Sequence, residues 1–182
     1  PYVFDLRTII DTKWVVKYRD EILSFLRENP ERVVSLGFGI QSVVSRLLSL
    51  SKRADVFDEA REVINEIREI SPECFLTAHM IIGLPTETIE ETKKNFEYIQ
   101  ESPVDLFVCF RYSHLKGSAF YDEYPKVDNR ANIDRFMELV KKSPLYFHEP
   151  EKSGLVYILR KPRPEYFVHE LTQGTGEGSG LG

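Results

Sequence analysis

The chain has 182 residues, of which 42% are hydrophobic and 12% aromatic, which is enough apolar material for one ordinary globular core. No segment approaches the roughly 20 consecutive apolar residues of a membrane helix, so the sequence offers no candidate membrane span. The net charge of −5 and the pI near 5.5 argue against broad binding to a nucleic-acid backbone, which depends on clustered lysines and arginines.

Cysteine usage indicates the compartment. Cys74 and Cys109 are the only thiols, and they lack the Cys-x-x-Cys spacing of a metal site. Each lies in an apolar run, where a cysteine is usually a small core residue. We therefore expect a cytoplasmic protein with no metal site in this chain. The start at Pro1, without methionine or a signal peptide, favours a piece of a longer protein.

Apolar runs alternate with segments of helical periodicity along most of the chain. Strands are predicted at 2–10, 32–40, 74–82 and 105–113. Helices are predicted at 18–29, from 43 onward into 58–70, at 88–102 and at 129–142. This order predicts a parallel sheet with helical crossovers, and the fully apolar strands suit burial on both faces. The spacing fits part of a barrel and equally an open doubly wound sheet.

Two segments follow the last predicted helix. Residues 154–171 suggest a strand, a turn broken by prolines and an apolar terminal run that closes one end of the core. The tail, 172–182, holds five of the ten glycines and almost no apolar residues. Such a segment buries too little surface to offset the entropy lost on ordering, so we predict that it is flexible.

Chemically capable residues stand where the predicted strands end. Gln41 and Ser42 follow the second strand, His79 lies just inside the third strand before Gly83, and Tyr112 ends the fourth. In parallel α/β architecture, the carboxyl ends of the strands share one edge, where helix N-termini offer unpaired N–H groups. The pattern therefore predicts one ligand site at that edge.

Each of these residues also has a purely structural explanation. Gln41 and Ser42 can cap the next helix, as serine commonly does. His79 can be a satisfied core histidine. Gly83, followed by Leu84 and Pro85, can form a turn and nothing more.

Three segments, in this order, resemble the later barrel strands of radical S-adenosylmethionine (SAM) enzymes: GFGIQSVVSRLLSLSKR (37–53), AHMIIGLPTET (78–88) and FRYSHLKGS (110–118). The relatives in question are tRNA methylthiotransferases, oxygen-independent coproporphyrinogen oxidases and cobalamin-dependent members. The resemblance implies an α/β fold in which residues 1–121 form the C-terminal part of a (β/α)6 partial TIM barrel of parallel βα units, with the N-terminal strands missing. Residues 122–171 would then be a helix and β extension, and 172–182 a tail.

The resemblance also implies roles in binding S-adenosylmethionine. Gln41 and Arg53 would contact its ribose or carboxylate, and His79 stands where the family usually has aspartate. Ile81 and Gly83 would line the adenine. The full implied set is Gln41, Ser42, Arg53, His79, Ile81, Gly83, Phe110 and Tyr112, the last two completing the adenine pocket through main-chain bonds and ring contact. Asp5 or Arg7, ending the first strand, would face the methionine part.

The cysteine loop that holds the family's four-iron four-sulfur cluster is absent, and so is its Gly-Gly-Glu-like segment. Two explanations stay open. The chain is a fragment of an enzyme that cleaves SAM reductively to a 5′-deoxyadenosyl radical, or it is a degenerate domain that acts as a binding module. In both cases this chain alone is expected to hold neither cluster nor SAM, and no catalytic residue is assigned.

Partners follow from the same resemblance. We expect either the missing N-terminal barrel half or an oligomeric partner against this chain. The substrate is left open between a small molecule and a macromolecule. No membrane contact is expected, and nucleic acid is not expected to bind through this segment.

Overall fold

A computed structural model describes residues 4–117, 120–124, 127–151, 153–160 and 172–173, without the side chains of Arg7, Thr172 and Gln173. Its strands are β1 (Phe4–Asp11), β2 (Val33–Gln41), β3 (Phe75–Ile82), β4 (Leu106–Arg111), β5 (Tyr146–His148), β6 (Leu155–Leu159) and β7 (Thr172–Gln173). Its helices are α1 (Thr12–Lys17), α2 (Arg19–Glu28), α3 (Ser45–Leu50), α4 (Phe57–Ile70), α5 (Ile89–Glu101) and α6 (Arg130–Lys142).

The strands form one sheet in the order β1-β2-β3-β4-β6-β5-β7. β1 to β4 are parallel neighbours joined by helical crossovers, which confirms the predicted parallel βα units. The other half of the sheet is antiparallel, since β6 pairs with β4, β5 with β6, and β7 with β5. The sheet is therefore open and mixed, and β6 covers the edge that β4 would otherwise expose.

Alternation along the strands separates the two faces of the sheet. Leu76, Ala78, Met80 and Ile82 of β3 belong to the main core, together with apolar residues of α2, α4, α5 and α6. The intervening residues of β3 face the opposite side, which we call the second face. It carries Thr77, His79 and Ile81. Every helix in the part of the chain that the structure describes is too short or too polar to cross a membrane.

The first strand lies at an open edge of the sheet. Phe4, Leu6 and Phe25 are each more than a third exposed there, and we call them the β1 edge surface. Behind them is a cavity of about 240 Å³ between β1, β2, α2 and α4. Apart from Glu21, its lining is apolar and includes Ile10, Ile22, Phe38 and Ile67. Among the described residues, no strand pairs with the outer side of β1.

Two helix predictions need correction. The helix expected from 43 into 70 is divided into α3 and α4, because Ser51 donates its hydroxyl to the carbonyls of Leu47 and Leu48 and Lys52 takes a φ of 55°. The short helix α1 was not predicted from the sequence. It begins where the Asp11 carboxylate accepts a hydrogen bond from the backbone N–H of Lys13 at 3.1 Å.

The first strand was also expected to end too early. It continues to Asp11, so Asp5 and Arg7 do not end it. Asp5 accepts a hydrogen bond from the Ser35 hydroxyl near the amino end of the strand, away from the predicted site. At the other terminus, Thr172 and Gln173 pair with β5, while 161–171 and 174–182 lie outside the described residues, as does most of the predicted flexible tail.

Candidate functional site

A tight turn ends β3, and one buried carboxylate holds it. The backbone N–H groups of Gly83 and Leu84 both donate to Oε2 of Glu87, at 2.7 and 2.8 Å. The other oxygen of Glu87 accepts from Thr92 at 2.9 Å and from Asn95 at 3.3 Å. Gly83 has a φ of 78°, which glycine adopts without a steric penalty. The turn therefore requires glycine followed four residues later by an acceptor.

Glu87 is only 7% exposed, and burial raises its pKa above the ordinary value although the four hydrogen bonds oppose the shift. The next residue, Thr88, begins α5 with a capping box. Its hydroxyl accepts from the N–H of Glu91, and Glu91 accepts from the N–H of Thr88 at 2.8 Å. Consecutive residues thus close the turn and start the helix.

The same buried network reaches the end of β2 through Asn95. Its Oδ1 accepts from the Ser42 hydroxyl at 3.1 Å and from the Val43 N–H at 2.9 Å. Ser42 is 0% exposed, and its oxygen accepts from the N–H of Val44. Ser42 therefore ties β2 to α5 behind the edge, and it does not line an open surface.

Three predicted residues lie on neighbouring parallel strands at one edge. Gln41 ends β2, His79 lies in the second half of β3, and Tyr112 follows β4, where its N–H bonds the carbonyl of Ile82 at 2.9 Å. In register, His79 lies beside Gly39, and Ile81 lies beside Phe110. The sequence prediction of a common edge therefore agrees with the structure.

His79 is half-buried on the second face, and its ring meets that of Phe110 edge to face with centroids 5.1 Å apart. Within the described residues, neither ring nitrogen bonds to another protein group, so His79 is not a satisfied core histidine. Burial lowers its pKa, which favours the neutral imidazole. One N–H donor and one acceptor are thus available to a polar ligand.

Gln41 takes an unusual backbone conformation at a bulge in the pairing of β2 with β3. Its φ is 66°, and the pairing shifts between Gly39 and Gln41. A Cβ at Gly39 would lie 3.2 Å from Nε2 of Gln41, so the glycine leaves room for the amide over the second face. Such bulges redirect side chains next to binding sites.

Arg53 reaches the same edge from the loop after α3. Its Nη1 lies 2.9 Å from Oδ2 of Asp11, the last residue of β1. The Arg53 side chain is 39% exposed, and the pair links the end of β1 to the loop. Asp11 was not identified from the sequence, although a polar residue at the end of an apolar strand and before a helix was the available signal.

An apolar cluster and one asparagine cover the edge at β4. Ile81 and Tyr112 pack with Phe120, whose ring meets that of Tyr112 edge to face at 5.8 Å. Asn129 donates from Nδ2 to the carbonyls of Gly83 and Tyr112, both at 3.1 Å. The N–H of Tyr112 is therefore engaged, and its carbonyl keeps one lone pair for a further hydrogen bond. Its buried hydroxyl has no partner among the described residues.

The two thiols do not fit a cluster. Cys74 and Cys109 are buried and unpaired, and the described residues contain no group of three or more His, Cys, Asp or Glu placed to hold a metal. Burial raises the pKa of the Cys74 thiol to about 11 and raises that of Cys109 as well. Both thiols are thus protonated, whereas iron–sulfur ligation requires thiolates.

These features define an α/β domain with a candidate ligand site at the carboxyl edge of parallel strands. No protein-family model matches the chain. It is 26% identical over 139 residues to a tRNA-2-methylthio-N(6)-dimethylallyladenosine synthase of Actinobacillus pleuropneumoniae, covering 75% of this chain and 29% of that protein. It is 31% identical over 123 residues to the ribosomal protein uS12 methylthiotransferase RimO of Aeromonas hydrophila, covering 66% and 28%. The chain thus spans less than a third of the length of these two relatives.

Solved structures share the fold. Coproporphyrinogen III oxidase from Escherichia coli, described as a radical SAM enzyme, matches 93% of this chain and 40% of its own, with a TM-score of 0.66 and 18% identity. Elp3 of Methanocaldococcus infernus matches 77% of this chain and 32% of its own, with a TM-score of 0.56 and 16% identity. The sequence and fold comparisons together confirm that the chain resembles radical SAM enzymes.

Proposed function

We propose that this chain is part of a radical SAM iron–sulfur enzyme and forms half of the cradle for S-adenosylmethionine. The observation that carries the proposal is the meeting of Gln41, His79 and Arg53 at one edge, on elements that are distant in sequence. The buried Tyr112 hydroxyl, which has no hydrogen-bond partner among the described residues, supports the proposal as a polar atom available to a ligand.

The chemistry of these side chains fits the cofactor. The Gln41 amide can form hydrogen bonds with ribose hydroxyls. The Arg53 guanidinium can bind the methionine carboxylate while it keeps its bond to Asp11. Neutral His79 suits a hydroxyl or ring nitrogen. Ile81 and the turn at Gly83 offer an apolar wall to adenine. When bound beside a reduced cluster, SAM supplies a 5′-deoxyadenosyl radical, and the role of these residues is to bind and orient it.

The cluster itself does not fit this chain, so the proposal places it on another segment. The β1 edge surface and the apolar cavity behind it suit such a partner, because an unpaired strand edge with exposed Phe4 and Leu6 requires covering. The partner is the missing N-terminal barrel half or a second subunit, in the cytoplasm. The substrate class is left open, since the relatives named above act on tRNA and on a ribosomal protein.

A second candidate is a non-catalytic binding module that keeps the fold without the chemistry. The same β1 edge surface favours it, because any protein partner of suitable shape could cover Phe4 and Leu6. The two candidates differ in one respect. Only the cradle requires the side chains at the carboxyl edge to contact SAM.

The test is SAM binding by the intact protein, loaded with its cluster under anaerobic conditions and measured by equilibrium dialysis. Gln41→Ala should weaken binding about tenfold, because it removes a hydrogen bond to the cofactor. Gln100→Ala, an exposed glutamine on α5, is the matched control and should leave affinity unchanged. Equal affinity in both variants, with cluster content preserved, would contradict the role of Gln41, whereas an intact protein that binds no SAM would support the binding module.

A further inference from the structure

The short helix α1 and its C-cap residue, Tyr18, present two aromatic rings to solvent. Trp14 and Tyr18 are each 43% exposed, four residues apart, with nearly parallel rings at 23° and centroids 5.9 Å apart. Val15, the residue after Trp14, is 0% exposed and anchors α1 in the main core. The rings are therefore held on a fixed element and are not part of the core.

Two ammonium groups accompany these rings. Nζ of Lys13 lies 5.0 Å from the Trp14 centroid, and Nζ of Lys17 lies 5.0 Å from the centroids of both rings. In the part of the chain that the structure describes, neither lysine has a carboxylate within ion-pair distance. We call Lys13, Trp14, Lys17 and Tyr18 the α1 patch.

The nearest charged neighbours along the chain do not neutralise this patch. The Asp11 carboxylate binds Arg53, and among the described residues neither Asp20 nor Glu21, in the first turn of α2, forms an ion pair with Lys13 or Lys17. The two lysine charges therefore stand beside two exposed aromatic faces. Proteins bind single-stranded nucleic acid by stacking unpaired bases on aromatic rings and by placing positive charges along the phosphate backbone.

We propose that the α1 patch binds single-stranded nucleic acid, with unpaired bases on Trp14 and Tyr18 and phosphates on Lys13 and Lys17. The net charge of −5 had argued against nucleic acid as a partner of this segment. That argument concerns broad electrostatic binding, whereas this patch is small and depends mainly on stacking. It neutralises only two phosphates, so its dependence on salt is weak.

The position of the patch links it to the candidate site. Asp11 both caps α1 and binds Arg53 at the carboxyl edge, so α1 starts where that edge ends. A nucleic-acid strand bound to the α1 patch would therefore lie beside the candidate ligand site. The proposal does not rest on the proposed function, because neither a cluster nor SAM enters its test.

Trp14 is the only tryptophan in the chain, so its fluorescence reports directly on the patch. The full chain is titrated with a 12-nucleotide uridine oligoribonucleotide, the matching thymidine oligodeoxyribonucleotide and a duplex of equal length. We expect saturable quenching by at least one single strand and none by the duplex. Tighter binding of the uridine or of the thymidine oligonucleotide identifies RNA or DNA, respectively, as the preferred ligand.

Variants separate stacking from charge. Tyr18→Ala keeps the fluorophore and should weaken binding about tenfold, whereas Leu115→Ala, which removes an apolar side chain that is 64% exposed, should leave it unchanged. The double variant Lys13→Ala and Lys17→Ala should lower the slope of log affinity against log salt by about 1.4, which is two phosphates at about 0.7 each. Lys94→Ala with Lys141→Ala is the control for charge. Thermal melts verify folding of each variant.

Three outcomes would overturn the proposal. The first is no saturable quenching by either single strand. The second is equal binding of duplex and single strands, and the third is an equal loss in the patch variants and their controls. In sedimentation runs without nucleic acid, a molecular mass that rises with protein concentration, together with a matching change in Trp14 emission, would assign the patch to self-association instead.

Discussion

Asn129 and Gly83 are joined across the carboxyl edge of the sheet by a hydrogen bond of 3.1 Å from Nδ2 to the Gly83 carbonyl. A Cβ placed on Gly83 would lie 2.8 Å from the Cβ of Asn129. The same amide also holds the carbonyl of Tyr112. A residue just before α6 thus fixes the ends of β3 and β4, so the segment after residue 121 is part of the candidate site.

Gly83→Ala should destabilise the protein by at least about 2 kcal/mol. The new Cβ meets Asn129, and alanine is strained at a φ of 78°. Gly117→Ala is the matched control, because Gly117 has a φ of 85° and no atom within 4 Å of the place that an added methyl would occupy. Chemical denaturation measures both. Equal losses would mean that contact with Asn129 contributes nothing beyond backbone strain.

Glu87→Gln should cost about 1–3 kcal/mol of stability. The glutamine amide places an N–H₂ group where an acceptor is needed, which leaves a buried donor of Gly83, Leu84 or Thr92 unsatisfied. Glu90→Gln is the control on the exposed surface of α5 and should change stability little. Urea denaturation at pH 7 provides the comparison, and equal midpoints for the two variants would contradict the assigned role of Glu87.

His79 should make stability depend on pH in the acidic range. The pKa of His79 is lowered in the folded protein, so the unfolded chain takes up the proton first as pH falls. The stability contributed by neutral His79 is therefore lost as pH falls from about 6.5 through the pKa of the folded state. His79→Gln should flatten the stability profile between pH 7 and 5. Identical profiles for parent and His79→Gln would contradict this.

The chain alone should not assemble a four-iron cluster. After anaerobic incubation with iron and sulfide and removal of the excess, we expect no stoichiometric iron, because Cys74 and Cys109 are buried, protonated and too few. Iron at about four atoms per chain, with the visible absorbance of a cluster, would show that ligation is possible without another segment.

Features set by neighbouring residues were predictable from the sequence. The turn at Gly83 and the start of α5 at Thr88 depend on contacts within five residues, and the parallel order of β1 to β4 follows from helical crossovers. The bond from Asn129 to Gly83 spans 46 residues, and the pair of Arg53 with Asp11 spans 42. Such contacts depend on the tertiary fold, so no local sequence pattern predicts them.

The antiparallel half of the sheet was missed for a related reason. β6 presents alternating residues to both faces, as a parallel strand also does, and its direction is fixed only by pairing with β4. The break between α3 and α4 was hidden because apolar spacing continues across it. α3 ends where the hydroxyl of Ser51 bonds a backbone carbonyl, and the spacing of apolar residues does not reveal such a bond.

The most direct test of the cradle is SAM binding by Arg53→Ala in the intact, cluster-loaded protein, measured by calorimetric titration with thermal melts alongside. We predict a ten- to hundredfold loss of affinity, about 1.5–3 kcal/mol, from removal of a charge-assisted bond to the cofactor carboxylate. The melting temperature should barely change, because the Arg53 pair with Asp11 is partly exposed and screened. Arg61→Ala, which breaks another exposed ion pair, should alter neither quantity. Equal SAM affinity in the parent, Arg53→Ala and Arg61→Ala would contradict the assignment of this edge as the cofactor cradle.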